Sequence, residues 1–227
     1  MNRLLNDLND AQREAVTSTD GPCLVIAGAG SGKTRVLTRR VAYLLIERLA
    51  TPEQILAVTF TNKAAGEMKD RVTSLLGGEI PQLNVSTFHS FCARLLRRES
   101  AHIGYISDFT IYDADDSRTL VKNCLKELGF SESQFPHRAQ VRKISDFKNR
   151  FVSVETYRKQ ARGYFETRSA EIYTHYQKRL RQCEAMDFDD LLFNTVWLLQ
   201  NNSEVKEKYQ TRFHYVLVDE YQDTNHV

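Results

Sequence analysis

The segment Val25–Arg40 places three glycines within five residues, directly after an apolar run and directly before a lysine and a threonine. Ordering a glycine costs more backbone entropy than ordering other residues. A cluster of glycines therefore indicates a backbone conformation or a close approach that a stiffer loop could not provide. The run before the cluster is typical of a buried strand, and the apolar residues after it recur at helical spacing. The segment therefore predicts a strand, a glycine loop and a helix, an order that suits anion binding.

The loop has the spacing of a phosphate-binding loop, except that alanine stands at its first position. Its residues are Ala27, Gly28, Ala29, Gly30, Ser31, Gly32, Lys33 and Thr34. The backbone N–H groups of such a loop can surround a β-phosphate because no side chain blocks the approach. Lys33 is predicted to act in catalysis by neutralising the β- and γ-phosphate oxygens, and Thr34 is predicted to bind Mg²⁺. The alternative is a glycine-rich turn with a coincidental Gly-Lys-Thr sequence.

Four short apolar runs predict strands of a parallel sheet that is covered on both faces. They are Cys23–Ala27, Ile55–Phe60, Leu83–Thr87 and Tyr215–Asp219. Helical stripes separate the first three runs, and Gly77 is predicted to end the second of these helices. The alternation of strand and helix predicts an α/β fold with right-handed crossovers.

The sequence changes character in its middle third. From about Tyr112 to Cys183 the chain is rich in charged residues and glutamine, with helical stripes but no strong strand pattern. We predict an inserted all-helical subdomain over residues 111–186, within an α/β domain made of residues 1–110 and 187–227. Within the insert, one basic segment is compatible with a duplex-binding face or with a solvated helix surface. It contains Arg138, Arg142, Lys143, Lys148 and Arg150.

Bulk composition narrows the class of protein. Hydrophobic residues make up 41% and charged residues 26% of the 227 residues, close to the average for soluble globular proteins. No apolar run approaches the ~20 residues that cross a bilayer. The four cysteines have no paired spacing, so free thiols in a cytoplasmic protein are expected. The net charge of +2 is too small to indicate a partner, so any nucleic-acid binding would depend on local patches of basic residues.

An acidic pair follows the last predicted strand. Asp219 stands at the carboxyl end of that strand and Glu220 comes next. We expect Asp219 to hold Mg²⁺ and Glu220 to orient and deprotonate an attacking water, which favours hydrolysis of ATP over transfer to a small molecule. A strand that ends in a solvated acidic turn is the alternative.

Five ordered segments carry a resemblance to a known family: "AGAGSGKTR", "AVTFTNKAA", "STFHSF", "MDFDDLL" and "VDEYQDTN". Together they resemble the N-terminal portion of a superfamily 1 DNA helicase of the UvrD/Rep/PcrA type, over essentially the whole chain. The resemblance implies a RecA-like P-loop NTPase domain, 1A, interrupted by a helical subdomain, 1B. It also implies an ATP-dependent motor with Mg²⁺ as cofactor, which moves 3′ to 5′ on single-stranded DNA.

The resemblance assigns two further residues to nucleotide binding. Gln12 stands where the family reads the edge of adenine, although Asn9 and Gln12 also have the spacing of a helix capping box. Arg35 stands where family members stack a guanidinium on the adenine ring; a solvated helix residue is the alternative.

The same resemblance assigns two segments to DNA, each directly after a predicted strand. The first contains Phe60, Thr61, Asn62 and Lys63, and the second contains Thr87, Phe88 and His89. An aromatic face followed by donors suits a single strand, whereas Phe60 taken alone is compatible with a core position and His89 with a cap or a packed ring. Asp187 and Asp190 have the spacing of an N-cap and its N3 partner, and that structural role alone explains them. The resemblance implies in addition that their segment marks the return from the insert.

The expected partners are single-stranded DNA, the junction of single- and double-stranded DNA, and a second RecA-like domain of the same full-length protein. Repair or replication proteins are further candidates, and no membrane is expected. Two alternatives stay open. The chain could be a nucleotide- and DNA-binding module with little turnover, or the helicase part of a helicase–nuclease, which shares these motifs.

Overall fold

A computed structural model describes residues 2–224, with side chains from Leu4 onward. Contacts divide the chain into two compact units. Unit 1 comprises the residues up to Phe91 together with Glu207–Asp223, and unit 2 comprises Cys92–Lys206. The predicted domain limits at 111 and 187 stay predictions. Within residues 2–224, no helix is both long enough and apolar enough to span a membrane.

The secondary structure alternates helices with short strands. The strands are β1 (Ile55–Thr59), β2 (Asn84–Thr87), β3 (Thr110–Tyr112), β4 (Ala185–Asp187) and β5 (Tyr215–Val218). The helices are α1 (Asn2–Leu5), α2 (Asp10–Thr17), α3 (Lys33–Ile46), α4 (Asn62–Leu76), α5 (Phe88–Arg98), α6 (Ser100–Ile103), α7 (Ala114–Glu127), α8 (His137–Asn149), α9 (Val154–Gln160), α10 (Gly163–Gln182), α11 (Phe188–Asn201) and α12 (Ser203–Arg212). Single 3₁₀ turns cover Pro52–Gln54 and Tyr221–Asp223.

The three-stranded parallel sheet of unit 1 confirms the predicted α/β class. Strand β1 lies in the centre, between β2 and β5. Every residue of β1 is buried, as its uninterrupted apolar run predicts for a central parallel strand. The register aligns Thr59 with Thr87 and Val58 with Val218, so all three strands end at one edge of the sheet. Three of the four predicted strands are therefore confirmed.

The predicted helices α3 and α4 are also confirmed. Val41 and Leu44 of α3 pack in one hydrophobic core with Met68 and Val72 of α4, beneath β1. Gly77 ends α4 in the left-handed conformation, with φ of 75°, as its position after the last apolar residue predicts.

The prediction of a strand over Cys23–Ala27 is wrong for the described chain. The segment has no regular secondary structure, and Leu24, Val25 and Ile26 are 66%, 41% and 88% exposed. A strand needs a neighbour to pair its N–H and C=O groups, and among residues 2–224 no strand runs beside this segment. An apolar run indicates that burial of its side chains would be favourable. A strand forms only where a neighbouring strand pairs its backbone.

Unit 2 is mainly helical, as predicted for the middle of the chain. Its core is formed by helices α7–α10, with Val121, Ile172, Tyr173 and Leu180 buried within it. The sequence did not predict the two short parallel strands β3 and β4, which pair with each other. At three residues each, these strands are too short to show an alternation of apolar and polar side chains.

A buried ion cluster joins three elements of unit 2. The Lys148 side chain of α8 is fully buried, and its Nζ lies 2.6 Å from Asp187 Oδ2 and 2.8 Å from Asp190 Oδ1. The Tyr176 hydroxyl of α10 donates a hydrogen bond to the same Asp187 oxygen at 2.8 Å. Asp187 and Asp190 also form a capping box at the start of α11, which confirms their predicted structural role.

The charges of this cluster depend on one another. Burial alone would lower the pKa of Lys148, but Asp187 and Asp190 raise it well above its ordinary value. Burial raises the pKa of Asp190 to about 6, and the neighbouring Asp187 adds to this effect. Burial acts in the same direction on Asp187, yet Lys148 outweighs it and lowers the pKa of that carboxyl.

This burial corrects the prediction for Lys148. The sequence grouped it with the other basic residues of its segment, Arg138, Arg142, Lys143 and Arg150, as a candidate contact for duplex phosphates. Lys148 instead turns into the core, where two carboxylates neutralise it. It therefore cannot belong to a surface that binds DNA.

Replacing Lys148 with methionine is expected to lower the free energy of unfolding by about 3–5 kcal/mol, because two buried carboxylates lose their cation. Urea denaturation followed by circular dichroism measures this change. Arg142→Met, on the exposed side of the same helix, is the matched control and is expected to change stability by less than about 0.5 kcal/mol. Equal stability of the two variants would contradict a structural role for the cluster.

Candidate functional site

The glycine loop leads directly into α3 and holds two glycines at positive φ. Gly30 has φ of 75°, and Gly32, the N-cap of α3, has φ of 90°. A Cβ atom on Gly32 would lie 3.1 Å from Gln12 Nε2. Both the conformation and the close approach therefore require glycine at position 32. The residues from Ala27 to Ser31 are exposed, so their backbone is open to a ligand.

Side chains of the loop bind its own carbonyl groups. The Lys33 ammonium donates to the carbonyl oxygens of Ala27 and Gly28, at 3.1 and 3.3 Å. The Ser31 hydroxyl donates to the Gly28 carbonyl at 2.7 Å. These contacts fold Lys33 back over the loop, where a phosphate would meet it. A charged phosphate oxygen is a stronger acceptor for an ammonium than a neutral carbonyl.

Gln12 forms the predicted capping box and also contacts the glycine loop. It completes the capping box of α2, since its backbone N–H binds Asn9 Oδ1 at 2.9 Å and its Oε1 accepts from Asn9 at 3.2 Å. Its Nε2 also donates to the Ser31 carbonyl at 2.9 Å, which brings the amide to the glycine loop. The contact with adenine stays a prediction.

Arg35 is exposed and is paired with Asp7 near the N-terminus. Its guanidinium donates to the Asp7 carbonyl at 2.9 Å and lies 3.5 Å from the Asp7 carboxylate. Arg39, one helical turn further on, lies 3.1 Å from the same carboxylate. Asp7 thus fixes the direction of Arg35, a contact between distant parts of the chain that no local pattern reveals. Stacking of Arg35 on adenine stays a prediction.

The acidic pair lies at the end of β5, close to the glycine loop. Asp219 is buried, and its backbone N–H donates to the Val58 carbonyl at 2.9 Å. Burial, together with the neighbouring Glu220, raises the pKa of Asp219. The positive charge of Lys33 and a hydrogen bond from the Thr34 hydroxyl act in the opposite direction. The structure therefore brings the predicted residues Lys33, Thr34 and Asp219 together.

Glu220 occupies a strained backbone conformation, with φ of 51°. Only a few per cent of residues other than glycine adopt positive φ, and they cluster at functional sites. The Gln222 amide donates to Glu220 Oε2 at 2.5 Å, and the Glu220 N–H donates to Asp219 Oδ1 at 3.2 Å. Sequence reasoning did not predict this contact between Gln222 and Glu220.

The residues around Asp219 suit Mg²⁺ in chemical type. The Thr34 hydroxyl lies near enough to the Asp219 carboxylate to lower its pKa, so two candidate oxygen ligands lie together. Magnesium prefers oxygen ligands and is commonly held by one or two protein groups together with phosphates and water. Thr34 and Asp219 would hold the ion beside the phosphates of a bound nucleotide.

The first DNA candidate segment follows β1. Phe60 is 41% exposed, and its ring lies 5.6 Å from the ring of Phe88 at an angle of 61°. Thr61 caps α4 by accepting a hydrogen bond from the Ala64 N–H at 3.1 Å. Asn62 and Lys63 are exposed in the first turn of the helix. An aromatic edge and the start of a helix therefore adjoin, while contact with DNA stays a prediction.

The second DNA candidate segment follows β2, beside the first. Thr87 is buried, accepts from the Ser90 N–H at 3.1 Å and donates to the Ser90 hydroxyl at 2.8 Å. Phe88 and His89 form the first turn of α5 and are half-buried. Because Thr59 and Thr87 are aligned, the two segments leave the same sheet edge as neighbours.

Comparisons with known proteins identify relatives of this chain. Residues 8–227 match the family model of the UvrD/REP helicase N-terminal domain. The chain is 48% identical to the ATP-dependent DNA helicase PcrA of Bacillus subtilis (strain 168) over 224 residues, which is 99% of this chain and 30% of that protein. PcrA of Staphylococcus aureus is 48% identical and PcrA of Staphylococcus epidermidis 47% identical, each over 225 residues, 99% of this chain and 31% of the relative.

The chain thus spans about a third of the length of these relatives. The match to the family model covers the glycine loop, both aromatic segments and the acidic pair. On this evidence the chain belongs to the UvrD/REP helicase N-terminal domain family.

Proposed function

We propose that this chain is the N-terminal ATP- and single-stranded-DNA-binding portion of an ATP-dependent 3′–5′ DNA helicase or translocase. One observation carries the proposal. Lys33, Thr34 and Asp219 lie together at the end of β5. Phe60 and Phe88, whose rings are in contact, follow the ends of β1 and β2 at the same edge of the sheet. Ligands of open parallel sheets bind at the carboxyl ends of the strands. A nucleotide beside Asp219 and a DNA strand beside Phe60 and Phe88 would therefore contact the ends of strands that are hydrogen-bonded in one sheet.

In this proposal ATP is the substrate, and the residues of the chain have separate tasks. The loop N–H groups and Lys33 bind and orient the phosphates, and Lys33 leaves the carbonyls of Ala27 and Gly28 to do so. Glu220, whose direction Gln222 fixes, accepts the proton of the attacking water. Mg²⁺, held by Thr34 and Asp219, would neutralise charge on the phosphate oxygens. Gln12 and Arg35 bind adenine, at the side of the loop where Gln12 contacts Ser31.

The two aromatic segments supply the DNA contacts. Phe60 and Phe88 offer ring faces to unpaired bases, and the first turns of α4 and α5 offer donors to phosphates. We further propose a cytoplasmic location and a second RecA-like domain as partner. Repair or replication proteins complete the proposed set of partners. The names of the relatives support an ATP-dependent activity on DNA.

Lys33→Ala is expected to lower DNA-stimulated ATP turnover of the full-length protein by at least about 100-fold, because the phosphates lose their cation. Phosphate release measured with and without an oligothymidylate tests this. Lys69→Ala, an exposed position on α4, is the control and is expected to keep full turnover. Turnover equal to the parent protein in Lys33→Ala would refute the assignment.

Glu220→Gln is expected to separate binding from chemistry. Nucleotide affinity should stay within about twofold of the parent value, while single-turnover hydrolysis falls by about 100-fold or more, since only the proton acceptor is lost. A fluorescent nucleotide titration and a quenched-flow measurement give the two quantities. Glu207→Gln, exposed on α12, serves as the control. A parallel loss of affinity and rate would show that Glu220 acts in binding instead.

Phe60→Ala is expected to weaken binding of a labelled oligothymidylate by about 1–3 kcal/mol, because one base loses the ring on which it stacks. Fluorescence anisotropy measures the affinity. Leu49→Ala removes an apolar side chain of similar exposure that no proposed contact involves, so unchanged binding is expected there. If Phe60→Ala binds as tightly as the Leu49 control, Phe60 is not a DNA contact.

A further inference from the structure

Unit 2 carries an aromatic cluster with two exposed rings that none of the roles above uses. We call it the aromatic platform, and it consists of Phe130, Phe135, Tyr164, Phe165 and Arg168. Tyr164 is 54% exposed and Phe165 is 62% exposed, side by side at the start of α10. Scattered exposed apolar residues are ordinary, whereas contiguous ones with a polar rim mark interaction sites.

A buried ring anchors the platform. Phe135 is only 1% exposed, and its ring centroid lies 5.3 Å from Phe130, 6.3 Å from Tyr164 and 5.8 Å from Phe165. Tyr164 and Phe165 meet at 5.4 Å with their ring planes nearly perpendicular, at 83°. The exposed pair is therefore packed on the core of the unit, and its outer surfaces have a fixed direction.

A cation further fixes the platform from the side. The Arg168 guanidinium lies 5.5 Å from the Phe130 centroid and 5.4 Å from the Tyr164 centroid. Its Nη1 also lies 2.9 and 2.8 Å from the two carboxylate oxygens of Glu171. Because Arg168 is held on both sides, Tyr164 would lose little rotational freedom when a ligand binds.

The segment that leads into the platform along the chain is positively charged. Arg158 and Lys159 lie in the last turn of α9 and Arg162 precedes α10, and all three are exposed. The Arg162 Nη1 donates to the carbonyls of Lys159 and Ala161, at 2.8 and 3.0 Å. Within the described part of the chain, no carboxylate forms an ion pair with any of them. Glu166, the acidic residue between positions 158 and 168, is occupied by the Arg162 backbone N–H at 2.7 Å.

We propose that the aromatic platform binds single-stranded nucleic acid. Unpaired bases stack on Tyr164 and Phe165, and the phosphates that join them contact Arg158, Lys159 and Arg162. Sequence-tolerant binding of single strands combines these two features, a set of exposed rings and basic residues that contact the phosphates. Bases within a duplex stack on one another and cannot offer their faces. The inference rests on the proposed function in that the same strand is the substrate there, but the contact residues are different.

The test measures oligothymidylate binding by the complete chain, with fluorescence anisotropy and no nucleotide. Changing both Tyr164→Ala and Phe165→Ala is expected to weaken binding by about tenfold or more, because stacking contributes substantially for each base. Changing Arg158→Gln, Lys159→Gln and Arg162→Gln together is expected to reduce the slope of log affinity against log salt by about 2, since each phosphate contact on a single strand contributes about 0.7.

Two controls isolate the rings. Trp197→Ala removes an aromatic side chain of unit 2 that is 44% exposed outside the platform, and it is expected to leave binding unchanged. A second chain, with Tyr164→Phe and Phe165→Tyr, keeps both rings and is expected to bind like the parent. Weak binding by this second chain would mean that altered packing, not stacking, explains the double alanine result, and it would overturn the proposal.

The remaining outcomes separate this inference from the proposed function. If Phe60→Ala weakens binding and the double alanine variant does not, the proposed function stands and the platform proposal fails. If the parent chain does not bind oligothymidylate at all, both fail. Unchanged oligothymidylate binding with a loss of self-association in sedimentation would assign the platform to a protein contact and would overturn the proposal.

Discussion

The parallel pairing of β1 with β2 and β5 is the constraint on which the candidate site depends. Parallel strands that are aligned residue by residue end together, so the segments after them must meet at one edge. Each of these three ends carries a residue of the proposed site: Phe60 after β1, Phe88 after β2 and Asp219 after β5. Had one strand been antiparallel, its polar or aromatic end would lie at the opposite edge.

The same strand ends also serve the local structure. Thr61 and Thr87 cap the helices that follow their strands, while Asn9 and Gln12 cap α2 beside the glycine loop. Caps hold the first turn of a helix, and therefore the residues in that turn, in a defined direction. A residue can therefore cap a helix and bind a ligand at the same position. Evidence for a cap does not exclude a ligand contact by that residue.

Sequence patterns predicted what depends on near neighbours. The strand β1, the helices α3 and α4, the capping box of Asp187 and the Gly77 end follow from spacing and side-chain type. What failed depends on partners far along the chain. Cys23–Ala27 has the composition of a strand but no paired neighbour in the described residues. Lys148 lies in a basic segment, but it pairs with two carboxylates some forty positions away. The Asp7–Arg35 contact escaped prediction for the same reason.

The buried cluster around Lys148 has a mechanical consequence. Its members come from α8, α10 and the start of α11, and a sliding displacement between any two of these elements would pull an ion pair or hydrogen bond apart in a medium without water. Displacements of that kind are costly from the first ångström, unlike the slippage of apolar side chains over one another. These helices are therefore expected to transmit force as a single stiff body, with compliance confined to the segments that leave it.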